Sequence, residues 1–598
     1  MSVRSFHEEE VLGKAYDSRL MKRLLKYTRP YRKVIVGAVV ILLLNALFQT
    51  WLAFVTKKGI DEHIMPKVEE GFYLLALLYL AIVLLQMLTT YGQIYVTMWL
   101  GQKVQDDIRM EVFSHLQKLH VGFYDKNPVG RMVTRVTNDI NTLNELFSAG
   151  VVNIIGDILM LIFFVGALFY VNWELALVTF ISLPLLITAT FYFRKKARDA
   201  YRQVRLKLAR LNAFVQEHLM GMSIVQLFSR EDGTNEKFNS INAELQQGHF
   251  RSVLYYAIFY PTVELIGAIS VGTLFYYGGI LIGTESISFG DLVLFIYLVE
   301  RFFHPIRDLS EKYNVLQASM ASSERIFNLL DTDPAIVDKE TAKQPEQFKG
   351  EIKFENLWFA YNKEDWVIKN LNFEVKPGEK VAIVGATGAG KTSLISLLYR
   401  FYDYQKGSIK IDGIDLKDYK LRTLRNHLGL VLQDVFIFSG DYARNVRLRS
   451  PYITNEQIKQ ALVRVGFDRF MDDPDAIDTE VKERGNTLST GQKQLLSFAR
   501  ALAFDPDILI LDEATSSVDT ETETLIQKAL DELLKDRTSI IIAHRLSTIE
   551  KADKIIVMHH GELREIGKHE ELLKKQGIYY KLYQLQYKKN NNTEAISG

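Results

Sequence analysis

The sequence predicts a helical membrane domain followed by an α/β domain built around a phosphate-binding loop. Three observations carry this. Long apolar runs are confined to about the first 310 residues. Beyond about residue 340 the apolar runs are short and lie between charges, as in a soluble α/β domain. There GATGAGKT (385–392) sits between strand-like VAIVG and helix-like SLISLLYRF. At 598 residues the chain is too long for one core. The predicted divisions are an N-terminal cytoplasmic segment 1–33, a transmembrane domain 34–325, a polar linker 326–350 and a nucleotide-type domain 351–598.

Charge and composition exclude several classes. The 72 basic and 71 acidic residues leave a net charge of +1, so no basic field points to nucleic acid. Cysteine is absent, which removes disulfides, thiolate metal sites and cysteine nucleophiles. A reducing compartment fits this, and so would engineered cysteine removal.

The polar N-terminus is no signal peptide. In SRLMKRLLKYTRPYRK, Leu20, Met21, Leu24 and Leu25 share a helical face, and basic residues cover the rest. Beside a span, this predicts a helix lying on the membrane surface. Seven Lys and Arg between 19 and 33 place the N-terminus inside.

Val34–Val55 and Phe72–Leu100 contain no Asp, Glu, Lys or Arg. Roughly 20 such residues cross a bilayer core. Val151–Val171, Leu175–Phe193 and Val253–Gly283 follow as spans. A sixth, from Leu292 to about Leu309, is interrupted by Glu300, Arg301 and Pro305. The outer loops 57–71, 172–174 and 284–290 are short; the inner loops 101–150 and 194–252 are long and basic. Leu185–Met220 lacks Gly and Pro. As one helix it would run about 54 Å, well past a roughly 30 Å core, so the membrane helices are expected to continue into the cytoplasm. Asp157, Glu264 and Glu300, set against Arg301, suggest a cavity tolerant of cationic amphipathic compounds. The alternative pairs Glu300 with Arg301 and leaves the other two near the interface.

In the second half, GxxxxGK[ST] stands in its strand–loop–helix context. Gly385, Gly388 and Gly390 let the backbone approach phosphate; with Thr387, Ala389 and Ser393 they complete the candidate loop. Lys391 would reach the β- and γ-phosphates, and the Thr392 hydroxyl would bind Mg²⁺. ILILDE (508–513) reads as a buried parallel strand ending in an acidic pair. Asp512 would hold Mg²⁺ through water, and Glu513 would polarise the attacking water. SIIIAHR (539–545) and LGLVLQD (428–434) are further strands that bring His544 and Gln433 to the same crevice. Tyr361 has two readings from spacing alone: a platform for adenine, or an ordinary core or surface tyrosine. LSTGQ (488–492) precedes a helix, where unpaired backbone N–H groups suit an anion.

Six spans followed by GATGAGKT, Gln433, LSTGQ, ILILDE, SSVD (516–519) and His544, in that order, resemble an ATP-binding-cassette (ABC) half-transporter of the exporter type. TEVKERG (479–485) and FYDKNPVGRMVTRVTND (123–139) resemble that class too. The resemblance spans nearly the whole chain. It implies an antiparallel β subdomain and a helical subdomain beside the phosphate-loop core, with ATP and Mg²⁺ as cofactors. It also implies two cassettes facing head to tail, so that Ser489, Thr490, Gly491 and Gln492 hold the partner's γ-phosphate. Tyr361 would then stack on adenine, and Gln433 would link Mg²⁺ and the attacking water to the membrane domain. Glu513 would be the general base, His544 would hold the γ-phosphate, and Asp519 would sit at the dimer interface. Inner turns near Phe123–Gly130 and Asn212–Met222 would be coupling helices.

The implied function is ATP-driven export of amphipathic small molecules, lipid or peptide across the cytoplasmic membrane. The rival reading is a membrane-anchored ATPase that regulates a partner or channel. The family signature usually reads LSGGQ, and here Thr490 replaces its first glycine. In many bacterial heterodimeric exporters, one chain keeps the catalytic Glu and carries an altered signature. This chain is similar to that type, so a second, different half-transporter is the expected partner.

Overall fold

The computed structural model describes residues 17–585, apart from Arg449, Asp472, Pro474, 513–518, His544 and Arg545. The chain forms two compact units. One holds the N-terminal region to Gln117 and Val129–Thr332; the other holds Lys118–Pro128 and everything from Asp333 onward.

The first unit is helical. Among the described residues, five helical runs are long and apolar enough to cross a membrane: Arg29–Ile64, Phe72–Leu116, Val129–Val171, Trp173–Met220 and Glu231–Gly283. A sixth long helix, Phe289–Leu330, follows. It continues through the first five residues of the predicted linker, so that boundary moves to Leu330. The Ser182–Met220 helix shows why the inner loops are long: an apolar first half passes without a break into a charged second half. Phe72–Leu116 leaves much of its apolar surface uncovered, with Leu74 64%, Leu77 57% and Met87 61% exposed. A surface of that kind needs lipid or another apolar partner.

The basic N-terminal helix, Ser18–Tyr27, is tied to protein. Leu20 and Leu24 are buried, whereas Leu25 is 44% exposed. Arg23 forks onto Asp331 at 2.6 and 2.7 Å and lies 4.2 Å over the Phe327 ring. Tyr27 donates to Glu111 at 2.7 Å. The apolar face predicted to meet the membrane surface is therefore partly spent on packing against the chain itself.

Deeper in this unit, Asp139 is 8% exposed. It accepts from Arg325 Nε at 3.0 Å and Nη2 at 2.5 Å, and from Ser322 at 3.1 Å. Arg325→Ala would leave a buried carboxylate without its counter-charge. Such losses cost about 3–5 kcal/mol, reduced here to roughly 1–3 because the Arg325 side chain is partly solvated. Thermal unfolding of the purified protein is expected to show a clear drop in Tm. An unchanged Tm would contradict the role given to this pair.

The acids that suggested a cavity in the membrane differ in their surroundings. Asp157 is ion-paired with Lys312, a residue beyond the predicted sixth span. Arg301 lies 4.5 Å over the Tyr297 ring. Glu264 and Glu300 are exposed. Asp157 therefore already has a cation, which leaves only Glu264 and Glu300 to support a cavity tolerant of cationic amphipathic compounds.

The second unit contains a four-stranded sheet in the order 366–375, 352–360, 406–411, 414–415, with antiparallel pairing throughout. A six-stranded sheet runs in the order 562–567, 554–559, 380–384, 538–542, 508–512, 428–431. All its pairings are parallel except the edge pair of 562–567 with 554–559. Ile508 and Ile510 enter one core with the antiparallel sheet; Leu509 and Leu511 enter another with the helices. A strand buried on both faces has no polar side, which is why ILIL reads as a continuous apolar run. Helices Tyr442–Arg447, Asn455–Arg464, Thr490–Phe504 and Thr520–Leu533 form the helical part.

Candidate functional site

Register assembles the site. Strands 380–384, 538–542, 508–512 and 428–431 are neighbours and parallel, so their C-terminal ends open on one edge. Ligands of open α/β sheets bind outside that edge. The phosphate loop follows the first strand, and Ala543 follows the second. Asp512 ends the third, directly opposite Ile542. Gln433 follows the fourth in an exposed bend.

Glycine is required at specific points in the loop. Gly388 and Gly390 have φ of +83° and +97°, a region that L side chains rarely adopt. Gly385 has no room for a side chain, because a Cβ would run into the Met558 carbonyl oxygen. Thr387 and Gly388 are exposed and Ala389 is buried, so the loop presents one open face. The helix Lys391–Leu398 starts directly from it.

Lys391 Nζ donates to the Gly385 and Ala386 carbonyl oxygens at 2.7 and 3.2 Å. Burial pushes its ammonium below the ordinary lysine range, and the Asp512 charge partly opposes this. An arriving phosphate would favour the charged form in the same way. Asp512 is 8% exposed. Thr392 is exposed, and the Ser393 hydroxyl accepts from Tyr361 OH at 3.0 Å. Tyr361 is 40% exposed. Its ring is therefore available beside the phosphate-loop helix.

The LSTGQ segment starts the helix Thr490–Phe504. Ser489 Oγ accepts from Gln492 N at 3.2 Å, and Gln492 Oε1 accepts from Ser489 N at 2.8 Å. This capping box pairs two N–H groups, of Ser489 and Gln492, and leaves those of Thr490 and Gly491 for an anion. Ser489 and Thr490 are exposed, whereas Gly491 is buried. Thr490 is the first helical residue, a position without a positive φ. The backbone makes no demand for glycine there, so what Thr490 adds is bulk on the exposed turn.

Glu513 and His544, together with SSVD up to Val518, lie outside the described residues. Asp519 caps the helix Thr520–Leu533 by accepting from Thr522 N at 2.8 Å. Hydrogen bonds from Thr522 hold its carboxyl below the usual carboxylate range.

One connection was missed from sequence. Asn445, fully buried, binds Phe438 through both N–H and C=O at 2.9 and 2.8 Å. Arg500, on the signature helix, donates to the Asn445 carbonyl at 2.9 Å. The segment after Gln433 is thus tied to the helix that carries LSTGQ. Neither residue belongs to a periodic or motif pattern that could have marked it.

Of the two expected inner turns, one is the short helix Val121–Lys126, grouped with the cassette. The other differs from expectation: 212–220 is the end of the Ser182–Met220 helix, and the separate short helix is Met222–Leu227.

Comparison with known proteins bears on the family and the fold. Residues 33–306 match the ABC transporter transmembrane region, and residues 368–516 match the ABC transporter domain. Over 588 residues, 97% of each chain, the protein is 40% identical to the uncharacterized ABC transporter ATP-binding protein YknV of Bacillus subtilis (strain 168). The chain belongs to the ABC transporters. This ABC transporter is also 35% identical over 578 residues, 96% of each chain, to the ATP-dependent lipid A-core flippase of Syntrophus aciditrophicus (strain SB). It has the fold of a bacterial Atm1-family ABC exporter solved with ATP bound, with a TM-score of 0.75, 26% identity, and coverage of 93% of this chain and 98% of that one. It is a multi-pass membrane exporter whose cytoplasmic cassette binds ATP and couples its hydrolysis to transport.

Proposed function

We propose that this exporter moves amphipathic small molecules, lipid or peptide, as the hydrolytic half of a heterodimer. One observation carries the asymmetric reading. Thr490 stands on the exposed first turn where the partner's nucleotide would meet the signature, while Lys391, Asp512 and Gln433 keep their family types. In this reading the competent site combines Lys391, Asp512, Glu513 and His544 with the partner's signature. Ser489, Thr490, Gly491 and Gln492 face a second site of slow turnover. The relative named as a lipid A-core flippase supports an amphipathic substrate.

The residues at the crevice fit Mg²⁺. Thr392, Asp512 and Gln433 offer oxygen donors only. Among the described residues no cluster of three or more His, Cys, Asp or Glu could form a dedicated metal cage. That combination suits a hard cation shared with nucleotide phosphates. When bound, the ion would neutralise charge on the phosphates. Lys391 binds the terminal phosphates, Tyr361 stacks on adenine, Gln433 and His544 position water and γ-phosphate, and Glu513 takes the proton from water.

The test is expression of this chain alone and with candidate partner halves. Activity on co-expression only, with turnover at one site, is the expected result. A stable homodimer with substrate-stimulated hydrolysis at both sites would overturn the asymmetric reading.

A further inference from the structure

We propose that Tyr402 is a positioning residue that transmits occupation of the adenine platform to the short helix Val121–Lys126. The proposal rests on the assignment of Tyr361 to adenine made above.

The helix belongs to the same compact unit as the cassette, yet the chain leaves it in both directions into long membrane helices. Its attachment to the cassette includes Tyr402, whose hydroxyl donates to the Asp125 carboxylate. Gly122 is buried against the same ring: a Cβ there would stand 2.6 Å from Tyr402 Cε1. Backbone therefore lies directly against the ring, with no side chain between to absorb a shift. Close-packed contacts of this kind transmit displacement.

On its other side, Tyr402 meets the Tyr361 ring edge-on, at 5.0 Å and 88°. Phe359 completes the cluster, 5.8 Å from Tyr402 and 4.8 Å from Tyr361. The Tyr361 hydroxyl is held by Ser393, in the first turn of the phosphate-loop helix. A purine stacked on Tyr361 would load this cluster from its exposed side. A phosphate in the loop 385–392 would reach the rings only through the Ser393–Tyr361 hydrogen bond. The path thus answers to the base more directly than to the phosphates. Burial, with the hydrogen bond to Asp125, pushes the Tyr402 phenol above the ordinary tyrosine range, so it stays a donor at neutral pH. The simpler alternative is an aromatic cluster that only holds the antiparallel sheet to the phosphate-loop helix.

Hydrogen–deuterium exchange of the 121–126 amides in the assembled full-length transporter, in lipid nanodiscs, separates the two. A non-hydrolysable ATP analogue is expected to slow that exchange at least about fivefold, the lower end of a typical coupling free energy. Saturating inorganic tripolyphosphate is expected to leave it unchanged. Tyr402→Phe keeps the ring and removes the donor. It should lose the slowing while binding the analogue within about twofold of wild type, since the platform is intact. Asp125→Asn, which keeps an acceptor, should retain the response, and Asp125→Ala should lose it. A full response in Tyr402→Phe, or equal slowing by tripolyphosphate, would overturn the proposal. Should Tyr361→Ala bind the analogue as tightly as wild type, the adenine assignment itself fails, and the proposal with it.

Discussion

Glu513→Gln is expected to leave ATP binding close to wild type and to cut steady-state hydrolysis by about 10²–10⁴-fold, the usual contribution of a positioned general base. The reason is local. Strand 508–512 is buried on both faces and ends at Asp512, opposite Ile542, at the edge where the phosphate loop opens, and Glu513 is next in sequence. A carboxylate there can orient and deprotonate water beside the terminal phosphate; an amide can orient but cannot accept the proton. Nucleotide titration and phosphate release on the same purified sample check both halves. Near-normal release would remove Glu513 from the role of base.

Lys391→Ala is expected to act earlier, on binding. The ammonium is buried in the loop and satisfied by two backbone carbonyls, at 2.7 and 3.2 Å. Its charge is already costly there, so an incoming phosphate gains a partner that water solvates poorly. Hydrogen bonds to charged groups of this kind are worth about 1.5–3 kcal/mol, or roughly 10- to 100-fold in affinity. Hydrolysis should fall with affinity, and the phosphate-loop helix should persist, because it is anchored by Leu394, Leu397 and Leu398. Equilibrium binding of a fluorescent ATP analogue, alongside Tm, is the check. Unchanged affinity would contradict the placement of Lys391.

The phosphate loop, the ILILD strand and the signature were legible because each has a local cause. Positive φ at Gly388 and Gly390, burial on both faces of 508–512, and a helix start at Thr490 all leave residue-type marks. The membrane helices were legible for the same reason: their length is written in uncharged runs. What was not legible depends on partners far apart in sequence. Lys312 neutralises Asp157 across 155 positions, and Arg325 reaches Asp139 across 186. The aromatic RFY after the phosphate-loop helix and the glycine in HVGFYD gave no sign that they meet. The N-terminal helix showed its amphipathic face, but sequence could not say that Leu20 and Leu24 would face protein.

The central claim is that ATP turnover at this cassette drives movement of an amphipathic substrate across the bilayer. The most direct measurement is transport in proteoliposomes that hold the purified transporter, with a fluorescently labelled phospholipid and an amphipathic dye as probes. ATP-dependent redistribution of at least one probe, abolished by Glu513→Gln, is the predicted result. Robust ATP hydrolysis with no redistribution of any lipid, dye or peptide offered would contradict it, and would favour a membrane-anchored regulatory ATPase.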